Sequence, residues 1–276
     1  MNESVPDGIT LHWHGVDVPN GEDGVAGVTQ DAVEEGETYV YRFVVAEPGT
    51  YWYHSHQVSD QQVSKGLFGP LVVLPGKGSS EPAVPQDAVD SVAVVHSYGG
   101  YRTVNGVVGA ARLETDPGDT VRIRVVNTNN GPLRTWVTGS SYQVIAIDAR
   151  DLHGPQPVEG KSLDVPAGGR ADLLVTAPDD GTAAAVNFGG GTLIAVGPAD
   201  GDVVPGDDPE DDLDLLSYGT PAPLGIDPAA RTDPSRTASA DGWASSTASR
   251  GSGGRSTVTC TPTFRCSLSR RATWSR

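Results

Sequence analysis

Two histidine pairs carry the chemistry this sequence advertises. His12 and His14 stand in HWHG, and His54 and His56 stand in YWYHSH. On a strand, residues two apart project to the same face, so each pair presents two imidazoles together. Neutral imidazole is a preferred ligand for copper and zinc. Two such pairs at strand ends can converge on a metal cluster. One H-x-H pair alone is as easily an ordinary surface ladder. Two pairs, holding four of the six histidines in an aromatic setting, favour metal.

The elements that must position these pairs read as strands. Residues 9–18 are β-branched and alternating and end in a loop. Residues 38–46, TYVYRFVVA, alternate again and predict a strand. The run from Thr50 begins as a strand and then loosens toward Gly66, and LFGPLVVLPG is a short buried strand closed by Pro75 and Gly76. With 35 Gly and 21 Pro, short apolar runs and frequent turn signals, the composition suits an all-β chain. A Greek-key sandwich needs about seven strands. Too few precede His12, so the first sandwich, residues 1–76, is expected to lack its opening strands. GKGSSEPAVPQDA (76–88) is a linker by composition. A second strand-rich unit, 77–200, is complete by strand count, and 201–237 reads as an acidic linker or the start of a third domain.

The last segment differs. Residues 238–276 hold six arginines and a single acid, Asp241, in a chain whose net charge is −16. Such composition predicts a disordered basic tail. A shifted reading frame is the preferred explanation. Sliding the frame back one base across Ser256 to Ser275, with free synonymous third bases, permits VNGHLYPDVPMFVVEEGDVV. That string repeats the pattern in which Val104, Asn105 and Gly106 precede Pro117, Gly118, Asp119, Thr120 and Val121. Both cysteines, Cys260 and Cys266, fall in this tail, in a C-x5-C spacing without a nearby histidine, which is a poor zinc signal. The acidic balance disfavours nucleic acid and anionic membranes as partners. No apolar run reaches the ~18 residues of a membrane-spanning helix. The opening MNESVPDG has no secretory signal pattern. His96, at the end of an apolar strand, reads as structural, and His153, in a turn, as solvated. Glycine-rich stretches here precede no helix, and Ser55 has no triad pattern.

The stretch from Thr10 to Pro75 resembles the first cupredoxin domain of the multicopper oxidases, the laccase-like group. HWHG followed by YWYHSH is its specific signature, and the resemblance extends to about Arg236. It implies tandem cupredoxin-like Greek-key β-sandwiches, the first incomplete. By the same resemblance His12 is a type 2 copper ligand, and His14, His54 and His56 are type 3 ligands. Copper is then the cofactor, dioxygen and an unidentified electron donor (a phenol, a metal ion or similar) the partners, and an extracytoplasmic location the expectation. Asp17 and Asp31 are nearby candidates to orient the imidazoles, although solvation suits both. The family's remaining motifs, H-x-x-H-x-H and H-C-H, are not in this sequence, and with them go the type 1 site and half of the trinuclear ligands. Two expectations follow: a copper oxidase by family that is inactive as this chain alone, or a truncated, non-catalytic product that binds copper weakly.

Overall fold

The computed structural model describes residues 1–76, 83–204 and 206–223. The tail at 238–276, expected to be frame-shifted or disordered, lies outside the described residues, as do Cys260, Cys266 and part of the expected 76–88 linker.

The first unit is a three-stranded antiparallel sheet in the order β1 (Leu11–His14), β2 (Gly49–Ser55), β3 (Phe68–Val73). One short helix, α1 (Ser59–Ser64), follows β2, where the sequence reading expected the strand only to loosen. Its buried Gln62 explains why it forms: Gln62 Nε2 donates to the Gly8 carbonyl at 2.9 Å, and its amide oxygen accepts from the Ser55 hydroxyl.

The strand expected at 38–46 is corrected. The segment carries no strand ladder among the described residues, only a single bridge residue at Val44. Its alternation is nonetheless used. Tyr41 and Phe43 pack edge-on against Trp13, at ring separations of 5.4 and 5.0 Å, and Val45 is buried with them. The Tyr41 hydroxyl accepts from the Leu11 amide at 2.8 Å. Period-two patterning fixes which side chains face inward; it does not supply a neighbouring backbone to bond to.

The second unit begins with β4 (Val89–Tyr98), β5 (Tyr101–Val104), β6 (Val107–Val108), β7 (Ala110–Glu114) and β8 (Thr120–Asn127). It continues through β9 (Leu133–Thr138), β10 (Tyr142–Ile147), β11 (Arg150–Asp151), β12 (Leu163–Val165), β13 (Arg170–Thr176), β14 (Ala184–Asn187) and β15 (Leu193–Gly197). Two sheets result, ordered β11-β10-β13-β8-β4-β5-β6 and β12-β9-β14-β15-β7. The β4–β8 and β15–β7 pairs are parallel and the rest antiparallel, a non-meander order in which sequence neighbours cross between sheets. Between the sheets lies an apolar core that includes Ile123, Leu173, Val186, Phe188 and Ile194, all fully buried. The chain is thus all-β with sandwich architecture.

Two seams join the units. An apolar one packs Trp52 of β2, Val63 of α1 and Val126 of β8. A polar one buries Thr50, Arg122, Arg124 and Asp172, each no more than 2% exposed. The Thr50 hydroxyl donates to Asp172 Oδ1 at 2.7 Å and accepts from Arg124 Nη1 at 2.9 Å. Arg122 donates through Nε and Nη2 to Asp172 Oδ2 at 3.1 and 2.6 Å, and Arg124 forks onto Asp90 at 2.6 and 2.7 Å. A buried charge is tolerable only when paired in this way.

Candidate metal centre

Strand register assembles the histidines. β1 and β2 pair so that His12 lies opposite His54 and His14 opposite Trp52. Cross-strand partners on one face stand about 5 Å apart, and the alternation puts Trp13 on the other face, buried in the small core of the first unit. His56 follows β2 directly. Its ring lies 5.4 Å from that of His12 and 6.0 Å from that of His54, stacked on the latter. The four sequence-predicted residues therefore share one face.

Three of them come closest. One ring nitrogen each of His12, His14 and His54 lies within 4.8 Å of the others. His14 Nδ1 is 3.4 Å from His54 Nε2, a separation at which two ring nitrogens can share one ion or one proton.

Hydrogen bonds decide which nitrogen is available. His12 Nδ1 lies 2.9 Å from the Asp23 carbonyl oxygen and 3.2 Å from Asp23 Oδ1. His54 Nδ1 lies 2.9 Å from the Ser55 carbonyl oxygen. A carbonyl only accepts, so in both rings Nδ1 carries the proton and Nε2 keeps its lone pair. Asp23, in the turn after HWHG, takes the orienting role that Asp17 and Asp31 were candidates for. Both of those are exposed.

Burial keeps His14 and His54 neutral. Desolvation lowers the His14 pKa to about 3, with Arg170, His54 and His12 adding repulsion. Desolvation also lowers His54, to about 4; its bond to Ser55 opposes this, and His12 and His56 add to it. Trp52 forms the wall on the protein side, its ring centroid 4.4 Å from that of His54 and 4.8 Å from that of His14. Neutral, converging imidazoles backed by an aromatic wall suit a borderline-soft transition metal such as copper, and the donor set fits.

The other two histidines lie apart. His96 is buried between the rings of Phe68 and Tyr98, with Nδ1 2.9 Å from the Thr128 hydroxyl. His153 is exposed and bonds to Thr220. Sequence reading missed Asp23 and two residues of the second unit, Gly168 and Arg170, that border the cluster. Asp23 sits in the turn-rich GEDG, where no period marks it. Gly168 and Arg170 belong to PAGGRAD, legible only as a turn opening a strand.

Two family profiles described as "Multicopper oxidase" match the chain, over residues 1–78 and 49–188, the second being half of its length. "Laccase-1" of Botryotinia fuckeliana is 31% identical over 205 residues, 64% of this chain and 35% of that protein. "L-ascorbate oxidase" of Cucumis sativus is 45% identical over 84 residues, covering 29% and 14%. "Copper resistance protein A" of Pseudomonas syringae pv. tomato is 48% identical over 64 residues, covering 23% and 10%. The chain spans about a third or less of the length of these curated relatives. Among solved structures, a multi-copper oxidase from Pseudomonas thermotolerans superposes with a TM-score of 0.61 at 27% identity, covering 84% of this chain and 57% of that one. A blue copper oxidase from Nitrosomonas europaea reaches 0.64 at 21% identity, covering 73% and 71%, a likeness of fold.

Proposed function

Because this chain belongs to the multicopper oxidase family, we propose that its four clustered histidines hold copper ions that serve dioxygen reduction. In this assignment His12 serves a type 2 ion, and His14, His54 and His56 serve a type 3 pair. They are carried by an N-terminal cupredoxin-like unit, 1–76, backed by a second, 77–200. The overall reaction couples one-electron oxidation of a donor to the four-electron reduction of dioxygen to water.

The observation that carries this is the convergence of His12, His14 and His54, one ring nitrogen each, within 4.8 Å. Bound copper would accept electrons singly and deliver them to dioxygen. The chain's own residues prepare that. Asp23 and the Ser55 carbonyl hold protons on Nδ1 of His12 and His54, so both rings offer Nε2. Trp52 keeps water from the protein side. Low histidine pKa values mean that His14 and His54 need shed no proton to bind metal at neutral pH.

A second reading is favoured by the donor count. Four imidazoles are few for three ions, and neither of the two cysteines has a flanking histidine to build a type 1 electron-entry site. On that count the chain binds copper and does not turn over alone. The same family reading supports an extracytoplasmic location. No helix among the described residues is long and apolar enough to cross a membrane.

The test is absorption spectroscopy and oxygen uptake on the copper-loaded chain with a phenolic donor. Copper binding without an intense band near ~600 nm and without turnover is the expected result. A blue band with turnover would overturn the second reading, and absence of copper binding would overturn both.

A further inference from the structure

We infer that the turn at 166–170, from the second unit, is a positioning element that fixes His14 with Nδ1 toward the cluster. This rests on the copper reading of the histidines.

His14 is turned opposite to its neighbours. His12 and His54 tie down Nδ1 and leave Nε2 open, whereas the His14 nitrogen facing the cluster is Nδ1, 3.4 Å from His54 Nε2. The far edge of its ring lies against Gly168. A Cβ placed on Gly168 would sit 2.7 Å from His14 Cε1 and 3.0 Å from Nε2, closer than side chains tolerate, and its φ of +72° already favours glycine. Trp52 covers one ring face at 4.8 Å. The imidazole is thus confined between an indole and a bare backbone.

That backbone is itself held. The Gly168 amide donates to the Asn127 carbonyl at 3.0 Å. Its carbonyl accepts from Trp52 Nε1 and from Arg170 Nη1, each at 3.2 Å. Arg170, 4% exposed, also donates through Nε to the Thr50 carbonyl at 3.2 Å. Its guanidinium fills the space beside Gly15, where an added Cβ would lie 2.3 Å from Nη2. Each unit therefore keeps a glycine where the other inserts a side chain: Gly15 admits Arg170, and Gly168 admits His14. Groups that orient a metal ligand from outside typically matter 10–100-fold in affinity.

The test uses the full chain with Gly168→Ala and, separately, Trp52→Phe, which keeps an aromatic ring while removing the indole N–H bond to Gly168 and part of the ring that packs on His14. Ring 15N resonances of His14, identified by their loss in His14→Ala, are recorded without metal, and Cu(II) alone is then titrated in. In the metal-free wild type the His14 proton should sit on Nδ1, donated toward the His54 Nε2 lone pair, and the ion should take its place there. In Gly168→Ala the His14 resonances should move while those of His12 and His54 hold, and Cu(II) affinity should fall about 10-fold or more. Trp52→Phe should act in the same direction with a smaller loss, and it decides the matter if Gly168→Ala does not fold. Unmoved His14 resonances together with Cu(II) affinity within about twofold of wild type would overturn the inference. If His14→Ala itself leaves Cu(II) binding intact, the copper reading fails, and the resonances still report whether the turn orients the ring.

Discussion

At the residue scale, the imidazoles of His14 and His54 are shaped by burial. Their pKa values, about 3 and about 4, lie below the ordinary 6.5, so the fold selects the neutral form. The sign follows from linkage. The unfolded chain binds these protons at a higher pH than the folded one, so the stability contributed is fully present above about pH 6.5 and is lost as pH falls toward 4 and then 3. Urea midpoints of the metal-free chain should be level above pH 7 and decline below 6.5, with a shallower decline in His14→Asn. An equal acid slope in that variant would mean that other groups set the decline. The histidines were legible in the sequence because the pairs are local: i and i+2 on one strand share a face whatever surrounds them. Asp23 was not, because its partnership with His12 depends on how the turn at 20–24 folds back on β1.

At the scale of elements, β2 is the piece on which the site depends. It pairs with β1 and β3, carries Thr50 into the buried ion cluster and Trp52 into the apolar seam, and ends at the histidines. Its strand character was legible from TYWYHS. The partnership of Thr50 with Asp172, 122 positions later, left no sequence signal, since charged residues inside an alternating strand read as solvated. Asp172→Ala should therefore cost about 3–5 kcal/mol, the range for leaving buried charges unpaired, with urea denaturation as the measure. Thr50→Val, which removes a hydroxyl that both donates and accepts, should cost about 1–3 kcal/mol. Asp172→Ala within about 1 kcal/mol of wild type would mean that water reaches Arg122 and Arg124. The segment at 38–46 shows the converse. Its alternating side chains do pack inward at Tyr41, Phe43 and Val45, yet hydrogen-bonded strand status depends on a neighbour that alternation does not encode.

At the scale of the whole molecule, the proposed copper site draws on both units. Its proposed ligands come from the first, while the second borders His14 through Gly168 and anchors β2 through Asp172. The all-β architecture was legible from turn spacing and composition. The way the two units interlock through Gly15, Gly168 and Arg170 was not, since it is a matter of shape at a contact more than 150 positions apart in sequence. The measurement that bears most directly on the central claim is the electron spin resonance of the full chain with one equivalent of Cu(II), compared with His12→Ala, His14→Ala, His54→Ala and His56→Ala. The wild-type spectrum should show coupling to several imidazole nitrogens, and substitution at His12, His14 or His54 should reduce that coupling and weaken binding by about tenfold or more, with His56 contributing less. Spectra and affinities that stay the same across all four variants would contradict a copper centre at these histidines.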